Sequence, residues 1–229
     1  MAEAKALNDK GGDWDRKNRL KVYDGLLSLQ RRDMKRANDA LLDSVSTFTA
    51  TELLSYEECM FYTVLAALKT LPRPQLKKKM VDSPDVAAVL VEQPAVSTLL
   101  HAFYEGRYAD FLRALHALQP RLAGDRVTAP HAAWLMRELR IGAYAQFLES
   151  YKSVSLAGMA AAFGVGAPFL DADLARLIAG GRVAAKIDAV NGIIESTRHD
   201  LKNAQYLEVI KQGDALLNKL SRLARVIAV

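Results

Sequence analysis

Residues 156–195 read LAGMAAAFGVGAPFLDADLARLIAGGRVAAKIDAVNGIIE, and the spacing of the apolar side chains changes twice within them. Leu156 to Phe163 is a short helical run that Gly164-Val165-Gly166 interrupts. Helix resumes from Pro168 to Ala179, with proline near its start, where a missing N–H leaves no hydrogen bond unmade. Gly180-Gly181 stops it. Val183, Ala185 and Ile187 then alternate with Ala184, Lys186 and Asp188, a period of two that predicts a strand. Asn191-Gly192 is a dipeptide in which both residues accept positive φ, and it predicts a two-residue hairpin turn. Such a hairpin places Ile187 and Ile194 on one face and Lys186, Asp188 and Glu195 on the other. Helix, turn, helix and hairpin in that order predict a winged helix, assigned to residues 152–198.

Upstream, over residues 13–151, the period is helical throughout. Asp13 to Gln30 carries Leu20, Tyr23, Leu26 and Leu27 among charged residues, and Met34, Ala37, Leu41 and Val45 give a second stripe. Only Arg31 to Asp33 separate the two, so they are expected to pack as antiparallel neighbours, the unit of a helical-repeat array. Ser55-Tyr56-Glu57-Glu58 is a capping box opening a third helix that Pro72 and Pro74 end. Pro84, Pro94 and Pro130 mark further helix starts, Gly106 splits a helical pair, and a long helix is expected from about His131 to Tyr151. The first twelve residues read as a tail.

Downstream, residues 199–229 hold one amphipathic helix from about Lys202. Tyr206, Ile210, Gly213, Leu217, Leu220, Ala224 and Ile227 recur at alternating steps of four and three, and Val209, Leu216 and Leu223 widen that stripe. The fold expected overall is mainly α, a helical-repeat (TPR-like) solenoid followed by a winged helix and a long C-terminal helix.

The chain has 229 residues, 51% of them hydrophobic and 25% charged, with a net charge of +5. That composition excludes global disorder and predicts a soluble, intracellular, globular protein. The single cysteine excludes a disulfide framework and suits a reducing compartment. The charged start, Met-Ala-Glu-Ala-Lys, offers no apolar segment that reads as a secretory leader, and the uncharged run 153–170 holds glycines and a proline that read as helix and turn, not a membrane span.

Catalytic patterns are not found. His101, His116, His131 and His199 are too scattered for a zinc helix, and Cys59 lies on an apolar helix, where it reads as a buried, inert thiol. Gly164-Val165-Gly166 follows no strand and reads as a turn. Arg137, Glu138 and Arg140 read as a solvated face or an interhelix contact, and Lys77-Lys78-Lys79 with Arg73 as a solvated turn. No cofactor, metal or small-molecule substrate is expected. A winged helix raises nucleic acid, but its second helix carries Asp171 and Asp173 against a single arginine, Arg176, and carboxylates repel phosphates. Protein contacts are the better reading.

A helical array leading into a winged helix resembles the PCI architecture of the proteasome lid, the signalosome and an initiation-factor complex. Residues 12–23 (GDWDRKNRLKVY), 43–49 (DSVSTFT), 160–165 (AAAFGV), 186–188 (KID), 211–218 (KQGDALLN) and 225–227 (RVI) are similar to the family of PCI-domain lid subunits of the 26S proteasome regulatory particle counted, among non-ATPase subunits, seventh in yeast and sixth in mammals. The family carries further repeats upstream, so this chain resembles an N-terminally shortened member, and Trp14, Leu20 and Leu27 are expected to form an uncovered apolar face. Gly142 stands where the family pattern has a larger residue, and His199 where it has proline.

The resemblance implies a non-catalytic scaffold in ubiquitin-dependent degradation, located in cytoplasm and nucleus. Its partners would be other PCI-domain lid subunits, with no nucleic acid and no membrane. The expected protein interface is Lys186, Asp188 and Glu195 on the wing, with Tyr206, Ile210, Leu216, Leu217, Leu220, Leu223 and Ile227 on the final helix. A signalosome PCI subunit and a winged-helix nucleic-acid binder stand as alternatives.

Overall fold

The computed structural model describes residues 13–196 and 201–227, with side chains for 13–196, 206–221 and 223. Helix α1 (Trp14–Gln30) is capped by Asp13, and α2 (Met34–Leu42) by Asp33, whose carboxylate accepts from the Arg36 amide at 3.2 Å. Their connection is tight enough to hold Arg32 at φ 63, the one positive φ outside glycine among the described residues. The two helices pack closely: a Cβ added to Gly25 would stand 2.7 Å from the Leu41 side chain. Asp24 on α1, itself buried, accepts a two-pronged contact from Arg36 on α2 at 2.9–3.2 Å. Trp14 is exposed, while Leu20 and Leu27 are half-buried.

Helix α3 (Tyr56–Thr70) opens with the expected capping box: the Ser55 hydroxyl accepts from the Glu58 amide and the Glu58 carboxylate from the Ser55 amide. Every residue from Cys59 to Leu68 is buried, so α3 is apolar all round and forms the axis of the array. Around it run α4 (Arg73–Leu76), continued by a π turn at Lys77–Val81, then α5 (Pro84–Leu90), α6 (Pro94–Glu105), α7 (Tyr108–Ala117) and α8 (Gln119–Gly124). The three lysines of the π turn are exposed. Gly106, at φ 80, ends α6. The long α9 (Ala132–Ser150) closes the array; a Cβ on its Gly142 would touch only Phe103, at 3.9 Å, so the space there accepts alanine.

The winged helix comprises β1 (Ser153–Ser155), α10 (Leu156–Phe163), α11 (Ala167–Ala179), β2 (Ala185–Asp188) and β3 (Ile193–Ser196). The sheet is antiparallel in the order β1-β3-β2. Two features differ from expectation. The hairpin gains a third strand: Ser-Val-Ser is too short to show a period, and pairing of Val154 with Ile194 makes it a strand. The connection is also four residues long, not two. Asp188 accepts from the Val190 and Asn191 amides and from the Asn191 side chain, which rounds the chain into a wider loop with Gly192, at φ 63, its only positive-φ residue. Asp188 therefore pairs with Ile193, and Ile187 lies directly opposite Ile194. The register has moved by two, which leaves every side chain on its expected face.

A final helix, α12 (Leu201–Ile227), completes the chain. His199 lies outside the described residues. No helix among those described is long and apolar enough to cross a membrane.

Candidate protein interface

The wing presents an open strand. β3 is flanked by β1 and β2, so Glu195 sits mid-sheet, opposite both Ser153 and Lys186, while β2 has one unpaired edge. An edge of this kind offers backbone N–H and C=O groups to a further strand. Lys186 and Glu195 are exposed on the outer face, as the alternation predicts. Asp188 shares that face, but its carboxylate is engaged within the loop. Hydrogen bonds from Asn191, side chain and backbone, and from the Val190 amide hold its pKa below the usual carboxylate value. The register thus brings the three wing residues together, two with free polar ends and one committed to shaping the turn.

The residues that aim this sheet were not legible as a site. Glu138 on α9 is 1% exposed, and both its oxygens accept from Arg182 Nη2 at 2.7 Å. Lys69 Nζ, at the end of α3, lies 2.5 Å from the same carboxylate. Burial alone would raise the Glu138 pKa, but Lys69 and Arg182 together outweigh it and hold the group below its ordinary value. Two residues on, Arg140 Nη2 donates to Asp173 Oδ1 of α11 at 3.2 Å, and the Tyr144 hydroxyl donates to Asp173 Oδ2 at 3.3 Å. Arg140 Nε lies 2.8 Å from that second oxygen as an ion pair, its N–H aimed elsewhere. Burial first, then Asp173, raises the Tyr144 pKa. The sequence trio of Arg137, Glu138 and Arg140 is therefore an interhelix contact for two of its members. The signal was present: Glu138 falls in phase with Leu135 and Leu139, on the buried side of its helix.

Apolar packing reinforces these polar ties. Phe163 of α10 stacks on Tyr108 of α7 at 4.8 Å between ring centres and meets Tyr144 and Phe147 of α9 edge-on at 4.9 and 5.5 Å. At the far side, the Ser196 hydroxyl donates to the Tyr151 carbonyl at 2.6 Å and the Ser196 amide to the Lys152 carbonyl at 3.0 Å, fastening the end of β3 beside the end of α9. Cys59 is fully enclosed in the array, and burial pushes its thiol up to about 12, out of reach as a nucleophile at neutral pH.

The second surface is α12. Each described side chain from Tyr206 to Ser221, and that of Leu223, is exposed. Tyr206, Ile210, Leu217 and Leu220 on the seam, and Leu216 and Leu223 beside it, stand 54–67% exposed. Ile227 lies within the helix, its side chain outside those described. These large apolar groups lie in one exposed stripe along the helix.

Three family models match parts of the chain. The model of the family "26S proteasome subunit RPN7" matches residues 1–79, that of the "PCI domain" residues 112–198, and that of the "26S proteasome regulatory subunit RPN7/PSMD6 C-terminal helix" residues 205–227. The chain is 48% identical over 225 residues to a 26S proteasome non-ATPase regulatory subunit 6 homolog of Arabidopsis thaliana, covering 98% of this chain and 58% of that protein. It is 45% identical over 229 residues to the corresponding subunit of Dictyostelium discoideum, covering 100% and 60%. To the 26S proteasome regulatory subunit RPN7 of Saccharomyces cerevisiae it is 42% identical over 221 residues, covering 95% and 52%. The chain thus spans a little over half the length of these relatives.

Proposed function

This chain belongs to the RPN7/PSMD6 family of 26S proteasome regulatory subunits, and from that premise we propose that it is a non-catalytic scaffold of the regulatory-particle lid. In this reading it supports ubiquitin-dependent degradation, in cytoplasm and nucleus, by holding other PCI-domain subunits in place. Labour is divided along the chain. The array of residues 13–151 forms a rigid arm, the winged helix of 152–198 meets a neighbour's winged helix, and residues 199–229 join a helical bundle.

The observation that carries this reading is the exposed stripe of α12. Burying one leucine is worth roughly 1.5–3 kcal/mol, and a lone helix of this length is marginal in water. Several such side chains left uncovered favour a role in assembly over one in the chain's own core. Lys186 and Asp188 on the open-edged strand β2, with Glu195 beside them on the outer face of β3, make the second contact.

The test is co-purification from cells expressing the tagged chain. The intact chain is expected to bring down other PCI-domain subunits, and a chain lacking residues 203–229 to lose them. Undiminished capture by the shortened chain overturns the assembly role of α12.

A further inference from the structure

The stripe on α12 has an order of its own. With Ile210, Leu217 and Ala224 at heptad position a, and Tyr206, Gly213, Leu220 and Ile227 at d, position g is filled by Val209, Leu216 and Leu223. Position e holds Leu207, Asp214 and Ser221, so the flanks of the seam carry a single charge over three heptads. Flanking charges are what prevents a helix from pairing with its own copy, and here almost none are present. Gly213 adds a second observation. It lies mid-helix, where glycine costs stability, and a Cβ there would meet nothing within 4 Å. Among the described residues nothing asks for glycine at this point; close approach by another helix does.

Direction and register follow from the same residues. The C-terminal half of α12 carries Lys219, Arg222 and Arg225 with no carboxylate, whereas Lys202 and Lys211 in the N-terminal half are offset by Glu208 and by Asp214 at the midpoint. A parallel pair would set two cationic ends and two helix dipoles side by side; an antiparallel pair separates the first and opposes the second. Among antiparallel alignments, the one that sets Leu217 against Leu220 also sets Ile210 against Ile227 and Gly213 against Ala224. Small residues then face small ones on both sides of a leucine centre, and Leu216 faces Leu223. Asp214 comes opposite Ser221, a hydroxyl able to donate to it. Sliding by one heptad sets Asp214 against Asp214, like charge on like.

We propose that the chain, in the absence of other proteins, forms a two-fold dimer through antiparallel pairing of α12 with α12 of a second copy, Leu217 of each opposite Leu220 of the other. The inference stands on α12 alone and holds whether or not the chain enters the lid. A partner helix that takes the same stripe displaces the second copy.

The test uses the purified full chain. Sedimentation velocity is expected to give a mass that rises from monomer to dimer between low micromolar and near-millimolar concentration, and Leu217→Asp to hold it at monomer throughout. For register, a Leu217→Cys chain mixed with a Leu220→Cys chain under mild oxidation is expected to give a disulfide-linked dimer, while each alone gives several-fold less. The chain's own thiol, Cys59, is buried and stays silent. A monomer at every concentration overturns the proposal, as does a dimer that survives Leu217→Asp. Efficient linkage of Leu217→Cys with itself, the signature of a parallel pair, overturns it too, as does a mixture that fails to link. None of these outcomes bears on capture of PCI subunits from cells.

Discussion

Glu138 carries more of this structure than its position among arginines suggests. It is buried, it faces two cations, and it sits between the array and the winged helix. Glu138→Gln removes the charge but keeps the shape, leaving Lys69 and Arg182 without their counterion. Breaking a buried pair costs about 3–5 kcal/mol. Arg182 is half-exposed and recovers water, so about 2–3 kcal/mol is expected, measured by chemical denaturation. The pH dependence has a definite sign. Because the folded carboxyl is held below its ordinary value of 4.5, its contribution is fully present above that pH and is lost as pH falls through the lowered folded value. Glu138→Gln is expected to flatten this acid limb of the stability curve. An unchanged limb assigns the acid sensitivity elsewhere. The sequence held the clue, a charge on the buried phase of an apolar helix, but a partner 44 positions away in the chain is set by the fold and by nothing local.

At the scale of elements, legibility tracked how local the cause was. Capping box, prolines at helix starts and glycine stops are local, and α3, α10 and α11 appear within a residue of where those signals place them. The wing fared differently. Asn191-Gly192 reads as a two-residue turn from its dihedral preferences alone, but the Asp188 carboxylate, three residues earlier, gathers two amides and a side chain and sets a four-residue loop. β1 had no local cause at all, since its partner strand lies beyond both helices of the unit. Asp188→Ala tests the first point. Hydrogen exchange at Val190 and Asn191 is expected to speed up, while amides within the three-stranded pairing keep their protection. Unchanged loop exchange would assign the loop to Gly192 alone. The polar face of the wing was readable because a slip of two preserves alternation; the committed state of Asp188 on that face was not.

Across the whole molecule, the described part of α12 stands apart in exposure from everything before it. The core cluster is drawn from residues 22–194, on the array and the winged helix. Deleting residues 203–229 is therefore expected to leave the thermal midpoint of the remainder within about 1–2 °C, since a shift of 1 kcal/mol moves a domain of this size by roughly 2–4 °C. A large drop would mean that α12 supports the core after all. The stripe itself was legible from the sequence, because heptad spacing needs no tertiary information. The junction between array and wing was not, being built from Lys69, Glu138, Arg140, Asp173 and Arg182, five charged residues that composition treats as surface.

The fastening of Ser196 to Tyr151 and Lys152 has a mechanical meaning. The chain enters the winged helix at Lys152 and leaves it at Ser196, and these two points are neighbours. A pull on α12 relative to the array therefore reaches the molecule at the same end of two antiparallel strands, β1 and β3, and opens them like a zipper, one rung at a time, starting from Ser196. Strands loaded along their length share the force over all their rungs; strands loaded at one end do not. Traction on the last helix thus meets the rungs at Ser196 first, those shared with β1 and the one to Ala185 of β2, ahead of the aromatic packing of Phe163 against the array.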